Sequence, residues 1–210
     1  MLGSLEATLT IKSRLLFLVG VLVLRAGSAD AQNFLMNSAE TINKGNFKLC
    51  AFPTVLLGED GADNTWGIAS RFGYGFTPSF DVEVKLAKFD NFKMYGADAE
   101  WWLVKGETDV SVSAGAHKSD FDGDGGGSTA IDTALLLSRS VARSLEAYVG
   151  GSLSFESLDD VDDSSFKRFY LVPGVEYKLG EDIDLLAEFG LGLNDDSPNY
   201  FSFGAAYYIR

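Results

Sequence analysis

The sequence predicts an all-β fold: a transmembrane antiparallel up-and-down β-barrel of about ten strands, with eight as the alternative count. Three observations point there. Apolar and polar residues alternate with period two in segment after segment from Gly45 to the C-terminus. Each segment is about ten residues long, the reach of a tilted membrane strand. Short turns also alternate with longer acidic connections, and the chain carries 23 glycines and 13% aromatics.

The segments run in order. Phe47, Leu49, Ala51, Pro53 and Val55 alternate with Asn46, Lys48, Cys50 and Thr54. Ile68, Phe72, Tyr74 and Phe76 oppose Gly67, Ala69, Arg71, Gly73 and Gly75, and Thr77-Pro78-Ser79 makes a tight turn. Phe80, Val82, Val84 and Leu86 oppose Asp81, Glu83, Lys85 and Ala87; charges on every second residue exclude an amphipathic helix. Tyr95, Ala97, Ala99 and Trp101 oppose Gly96, Asp98 and Glu100, and Val110, Val112, Ala114 and Ala116 oppose Asp109, Ser111, Ser113 and His117. Ile131, Thr133, Leu135 and Leu137 oppose Asp132 and Ala134, then Leu145, Val149, Leu153 and Phe155 oppose Glu146, Tyr148 and Ser152. Residues 144–150 also read as a helix start, which keeps the eight-stranded count open. Phe169, Leu171 and Val175 oppose Arg168, Tyr170 and Glu176; Ile183, Leu185 and Phe189 oppose Asp184 and Glu188; Phe201, Phe203 and Tyr207 oppose Ser202, Gly204 and Ala206.

Upstream, residues 1–31 read as a cleaved signal peptide: basic Lys12 and Arg14, the apolar run Leu15–Leu24, then the small-x-small pattern Ala29-Asp30-Ala31. The apolar run falls short of the roughly 20 residues a spanning helix needs. Residues 32–44 are expected as a periplasmic N-terminal segment and 45–210 as the barrel. A net charge of −13 without a Lys/Arg cluster excludes a nucleic-acid surface, and the single cysteine, Cys50, excludes an internal disulfide or a cysteine-rich metal site.

Parity alone does not say which face is inside. Charges lie mid-strand on the same face as glycines, Arg71 among Gly67, Gly73 and Gly75 and Glu188 beside Gly190 and Gly192, as in a crowded interior. Trp66, Tyr95, Tyr177 and Tyr207 sit near strand ends, where interfacial girdles form. The expected lumen charge network is Arg71, Glu83, Lys85, Asp98, Glu100, Glu146, Arg168, Glu176 and Glu188, joined by Lys48, Asp81, Asp109, Asp132, Lys178 and Asp184. The acidic excess implies that any water path prefers cations.

With this pattern, and with a C-terminal strand Tyr200-Phe-Ser-Phe-Gly-Ala-Ala-Tyr-Tyr-Ile-Arg210, the chain resembles the small porin-like outer-membrane β-barrel proteins of Gram-negative-type bacteria. The resemblance covers residues 44–210. It implies a monomer in the bacterial outer membrane, contacts with membrane lipid and lipopolysaccharide, and a last strand read by the barrel-assembly machinery. The sequence departs from the family's aromatic terminus by ending Ile209-Arg210. The implied function is passive: a narrow pore or a structural, surface-interaction barrel.

Two constellations suggest other chemistry. His117-x-Ser119, with Asp132 as orienting acid, resembles the His/Ser/acid set of lipid A deacylases, the enzyme alternative. A soluble ligand-binding barrel is the other alternative and requires the faces to be inverted. Asp120-Phe-Asp122-Gly-Asp124-Gly125 matches the start of an EF-hand loop, but Ile131 stands where a bidentate glutamate is needed, so at most a weak calcium site is expected there and no other cofactor. That stretch lies in a Gly/Asp-rich loop read from Ser119 to Ser128, and a second acidic loop, with Asp159, Asp160, Asp162 and Asp163, is read from Glu156 to Ser165.

Overall fold

The computed structural model describes residues 34–58, 62–122, 126–159 and 165–210. The expected leader, Asp124, Asp160, Asp162 and Asp163 lie outside the described residues. Ten strands follow one another: β1 (Phe47–Leu56), β2 (Thr65–Thr77), β3 (Phe80–Phe89), β4 (Phe92–Val104), β5 (Asp109–Phe121), β6 (Gly127–Ala142), β7 (Leu145–Leu158), β8 (Ser165–Lys178), β9 (Ile183–Gly192) and β10 (Tyr200–Ile209). Each pairs antiparallel with its sequence neighbours, and β1 closes the barrel on β10 from Phe47↔Ile209 to Leu56↔Tyr200. The count is ten because residues 145–150 continue β7 rather than starting a helix.

The short turns, Pro78-Ser79 among them, gather at the end that holds both Phe47 and Ile209. The opposite end carries 57–64, 122–126, 159–164 and 193–199, with one tight exception at Asp90-Asn91. The expected acidic loops 119–128 and 156–165 are shorter than the sequence suggested. Ser119 pairs with Ser128 and Glu156 with Phe166, so strands continue where a loop was read. The reason is that this lumen buries polar side chains, so Ser119, Ser128 and Glu156 belong to the inward face and do not mark a surface loop.

Outward positions are apolar along every strand: Val84, Leu135, Leu171 and Leu185 are among the exposed large hydrophobics. Trp66 and Tyr95 ring the long-loop end, Tyr177 and Tyr207 the short-turn end. Near the short turns, the rings of Phe72, Phe47, Tyr74, Phe76, Phe80 and Trp101 touch in sequence across β1 to β4, with centroids 4.8–6.0 Å apart.

Residues 34–43, part of the stretch expected as an N-terminal segment ahead of the barrel, run through the lumen. Phe34, Leu35, Met36, Ala39 and Ile42 are all buried. These side chains gain by leaving water, and the lumen supplies partners for the backbone that enters with them. The Met36 N–H donates to Glu188 Oε2 (2.7 Å), the Ala39 N–H to Ser138 Oγ (3.3 Å) and the Ile42 N–H to Asp81 Oδ2 (2.6 Å). Met36 sits at φ 40°, a left-handed backbone that costs a non-glycine residue about 1–2 kcal/mol and needs such anchors. At Gly45 (φ 85°) the chain reverses into β1, its N–H donating to the Gly75 carbonyl at 2.8 Å.

Thin places in the wall seat this segment. A Cβ on Gly75 would lie 2.3 Å from the carbonyl oxygens of Ile42 and Asn43, and one on Gly150 2.5 Å from Leu35 Cδ1. At the long-loop end one side of the lumen holds an aromatic cluster. Phe34 stacks on Phe89 (5.5 Å) and meets Tyr200 edge-on (5.1 Å), while Phe52, Leu56 and Phe92 complete the cluster. Gly190 accommodates the Tyr200 ring, whose Cε1 would be 1.8 Å from an added Cβ. Gly190→Ala should therefore destabilise the barrel by about 1–3 kcal/mol through overpacking. Gly151→Ala, where nothing lies within 4 Å, should change stability little. Urea unfolding followed by tryptophan fluorescence compares the two.

Candidate functional site

The inward face of each strand delivers its charges to the lumen, and the register decides which of them meet. Directly paired positions bring Arg71 beside Lys85 and Glu83 beside Asp98. The result is a continuous chain of ion pairs. Lys48 Nζ lies 2.6 Å from Glu83, Arg71 pairs with Glu83, Arg71 Nη2 lies 3.0 Å from Asp98, and Lys85 Nζ lies 2.8 Å from both Asp98 and Asp132. His117 Nδ1 ends the chain 2.7 Å from Asp132 Oδ2. Arg71, Glu83, Lys85 and Asp98 are each at most 6% exposed. Burial of this kind is tolerated only when charges are mutually neutralised and hydrogen-bonded.

The lumen segment is wired into the same chain. Arg71 Nη1 donates to the carbonyls of Phe34 and Leu35, both at 2.9 Å. The Asn37 amide joins Glu100 to Lys48: its Nδ2 donates to Glu100, and its Oδ1 accepts from Lys48 Nζ at 2.7 Å.

The other expected lumen residues stand apart from this chain. Glu188 accepts from the Met36 N–H and from the hydroxyls of Tyr148 (3.2 Å) and Tyr200 (2.9 Å). Glu146 and Glu176 lie near the short-turn mouth, 3.6 and 4.0 Å from Lys178 Nζ. Arg168 lies higher, with Nε 2.9 Å from Glu156 and Nη1 donating to the Asp196 carbonyl at 2.8 Å. Sequence reading missed Glu156, Asn37, Tyr148 and Tyr200 as partners. The inward parity of Tyr148 was visible, but Glu156 was read into a loop and Asn37 into the periplasm.

The His117/Ser119/Asp132 set forms only half of a triad. Asp132 orients His117, but among the described residues His117 Nε2 and Ser119 Oγ have no hydrogen-bond partner, so the two do not make the nucleophile–base contact. All three side chains are buried in the lumen, away from the outer face. In the EF-hand-like stretch, Asp122 pairs with Lys88 at 2.8 Å, which holds its carboxyl below the usual carboxylate range, and Asp120 is exposed. Among the described residues, the close carboxylate trio lies elsewhere: oxygens of Glu40, Asp109 and Glu146 are all within 4.8 Å of one another.

No protein-family model matches the chain, and no curated protein matches its sequence. Solved structures similar to it are membrane barrels. The KdgM porin shares 9% identity at a TM-score of 0.45, over 78% of this chain and 99% of that one. A structure from the de novo design of transmembrane β-barrels shares 15% at 0.43, over 81% and 99%. The Acinetobacter baumannii outer-membrane protein Omp33 shares 10% at 0.42, over 78% and 98%.

Arg71→Met leaves Glu83 and Asp98 short of a partner and frees two carbonyls of the segment. It should cost about 3–5 kcal/mol, the range for breaking a buried pair. Adding Glu83→Gln and Asp98→Asn should recover much of that loss in urea titrations.

Proposed function

We propose that this chain is a passive outer-membrane barrel of a Gram-negative-type bacterium whose lumen is closed by its own N-terminal segment. The observation that carries the reading is the lumen course of residues 34–43, bonded to Arg71, Glu188, Ser138 and Asp81 on four different strands. An outer face bearing Ile68, Phe72, Leu86, Ile131, Leu171 and Phe203 would be a large apolar patch in water and is suited to lipid. A soluble ligand carrier needs the opposite arrangement, and the incomplete triad gives the hydrolase alternative little support.

In this reading the short turns face the periplasm and the acidic loops face outside. The outer belt meets membrane lipid and lipopolysaccharide, and the barrel works as a monomer. The outward row Phe201, Phe203, Tyr207 and Ile209 on β10 supports recognition by the barrel-assembly machinery. Work at the membrane is structural or surface-directed while the segment is seated; with the segment displaced, the acidic lumen favours cations.

Two experiments test this. Planar-bilayer recording of the refolded mature chain should give no conductance or a small cation-preferring one. Loosening the segment with Phe34→Ala, Leu35→Ala and Met36→Ala together should raise it. A wide anion-preferring pore, or no response to loosening, contradicts the reading. Separately, Leu171→Arg should cost about 2–4 kcal/mol in a bilayer, where a basic group meets hydrocarbon. A cost near zero places β8 outside the membrane.

A further inference from the structure

We propose that Glu40, Asp109 and Glu146 form a calcium site that fastens the lumen segment to the barrel wall at the short-turn mouth. The proposal rests on the reading of residues 34–43 as a lumen plug and adds the ion that holds it. The three carboxylates come from separate parts of the chain: Glu40 from the segment, Asp109 from the first position of β5 and Glu146 from the start of β7. Between them stands β6, whose Ser138 accepts the N–H of Ala39 and so fixes the backbone next to Glu40.

Glu146 is the telling member. It is 2% exposed, and among the described residues neither of its carboxylate oxygens accepts a hydrogen bond within 3.5 Å, with the Ser138 hydroxyl and Lys178 as its polar neighbours. A buried carboxylate without donors is costly unless a cation faces it. The ammonium at hand, Lys178 Nζ, is 3.6 Å away and is shared with Glu40 (3.0 Å) and Glu176 (4.0 Å). Asp109 adds a further carboxylate, with Oδ1 engaged by the Gly106 N–H at 3.0 Å. Three carboxylates, Glu40, Glu146 and Glu176, thus share one ammonium, and Asp109 adds a fourth negative charge beside Glu40 and Glu146.

The donor set selects the ion. Ligands that are all oxygen, without imidazole or thiolate, suit a hard cation. Oxygens on one calcium ion stand up to about 4.6–5.2 Å apart, twice the bond length. The trio's oxygens, all within 4.8 Å of one another, can meet on one such ion. A cavity of about 210 Å³ opens at the same mouth, bordered by Ser38, Glu40, Glu176 and Lys178, and brings water to the Glu40 side of the trio. This site is distinct from the EF-hand-like loop, which lies at the opposite end of the barrel.

Calorimetric titration of calcium into the refolded mature chain in detergent tests the site. Binding of one calcium per chain is expected. Glu40→Gln and Asp109→Asn, both partly exposed and checked for folding by heat-modifiable gel migration, should each weaken it by about tenfold or more. Asp122→Asn should leave it unchanged. No binding up to millimolar calcium overturns the site while the conductance results stand unaffected. So does binding that survives both substitutions or is lost with Asp122→Asn. Loss with Asp109→Asn but not with Glu40→Gln overturns the fastening and the lumen position of the segment together.

Discussion

The Arg71 guanidinium reaches acceptors from three parts of the chain. It pairs with Glu83 on β3 and Asp98 on β4, and it donates to the carbonyls of Phe34 and Leu35 in the N-terminal segment. Its planar fork of donors suits several fixed acceptors at once, which a lysine could not match. The charges of the wall and the backbone of the plug therefore depend on one side chain. Without the segment, Arg71 would lose its carbonyl partners and the lumen its filling. Without Arg71, two carbonyls and two carboxylates would be left in a confined space with poor compensation.

The lumen divides along its axis. Toward the long loops an aromatic cluster of Phe34, Phe89, Phe92 and Tyr200 fills one side, beside the buried Arg168–Glu156 pair. In the middle, cations and anions alternate from Lys48 to Asp132. Toward the short turns, Glu40, Glu146 and Glu176 gather around Lys178, with Asp109 against Glu40 and Glu146. An ion moving through would meet an acidic vestibule, a saturated ion-pair belt and the aromatic cluster in turn. Ten strands enclose more space than side chains fill comfortably, and here a stretch of the chain's own backbone takes up the difference.

Glycine has two uses in this wall. Gly75 and Gly150 let the segment lie against the strands, and Gly190 gives a tyrosine ring room to turn inward and reach Glu188. Both uses trade strand propensity for space. Such glycines mark where the interior is fullest, and a glycine row on the inward face signals a filled barrel rather than an open one.

Period-two alternation, segment length and turn residues are local properties, so the sequence by itself determined an up-and-down barrel of about ten strands and put Arg71, Glu83, Glu100 and Glu188 on one shared face, while the choice of ten over eight waited for the structure. The same local logic misread Ser119, Ser128 and Glu156, because polarity means solvent in most proteins and lumen in this one. Partner choice depends on register and closure. The belt of ion pairs, the separation of Ser119 from His117 and the meeting of residues 40, 109 and 146 became visible only once the strands were placed around a common axis. The course of residues 34–43 was also decided by tertiary structure. A short, irregular, half-apolar stretch has no period to read, and only the groove left by Gly75 and Gly150, with donors and acceptors at matching heights, gives it a place inside.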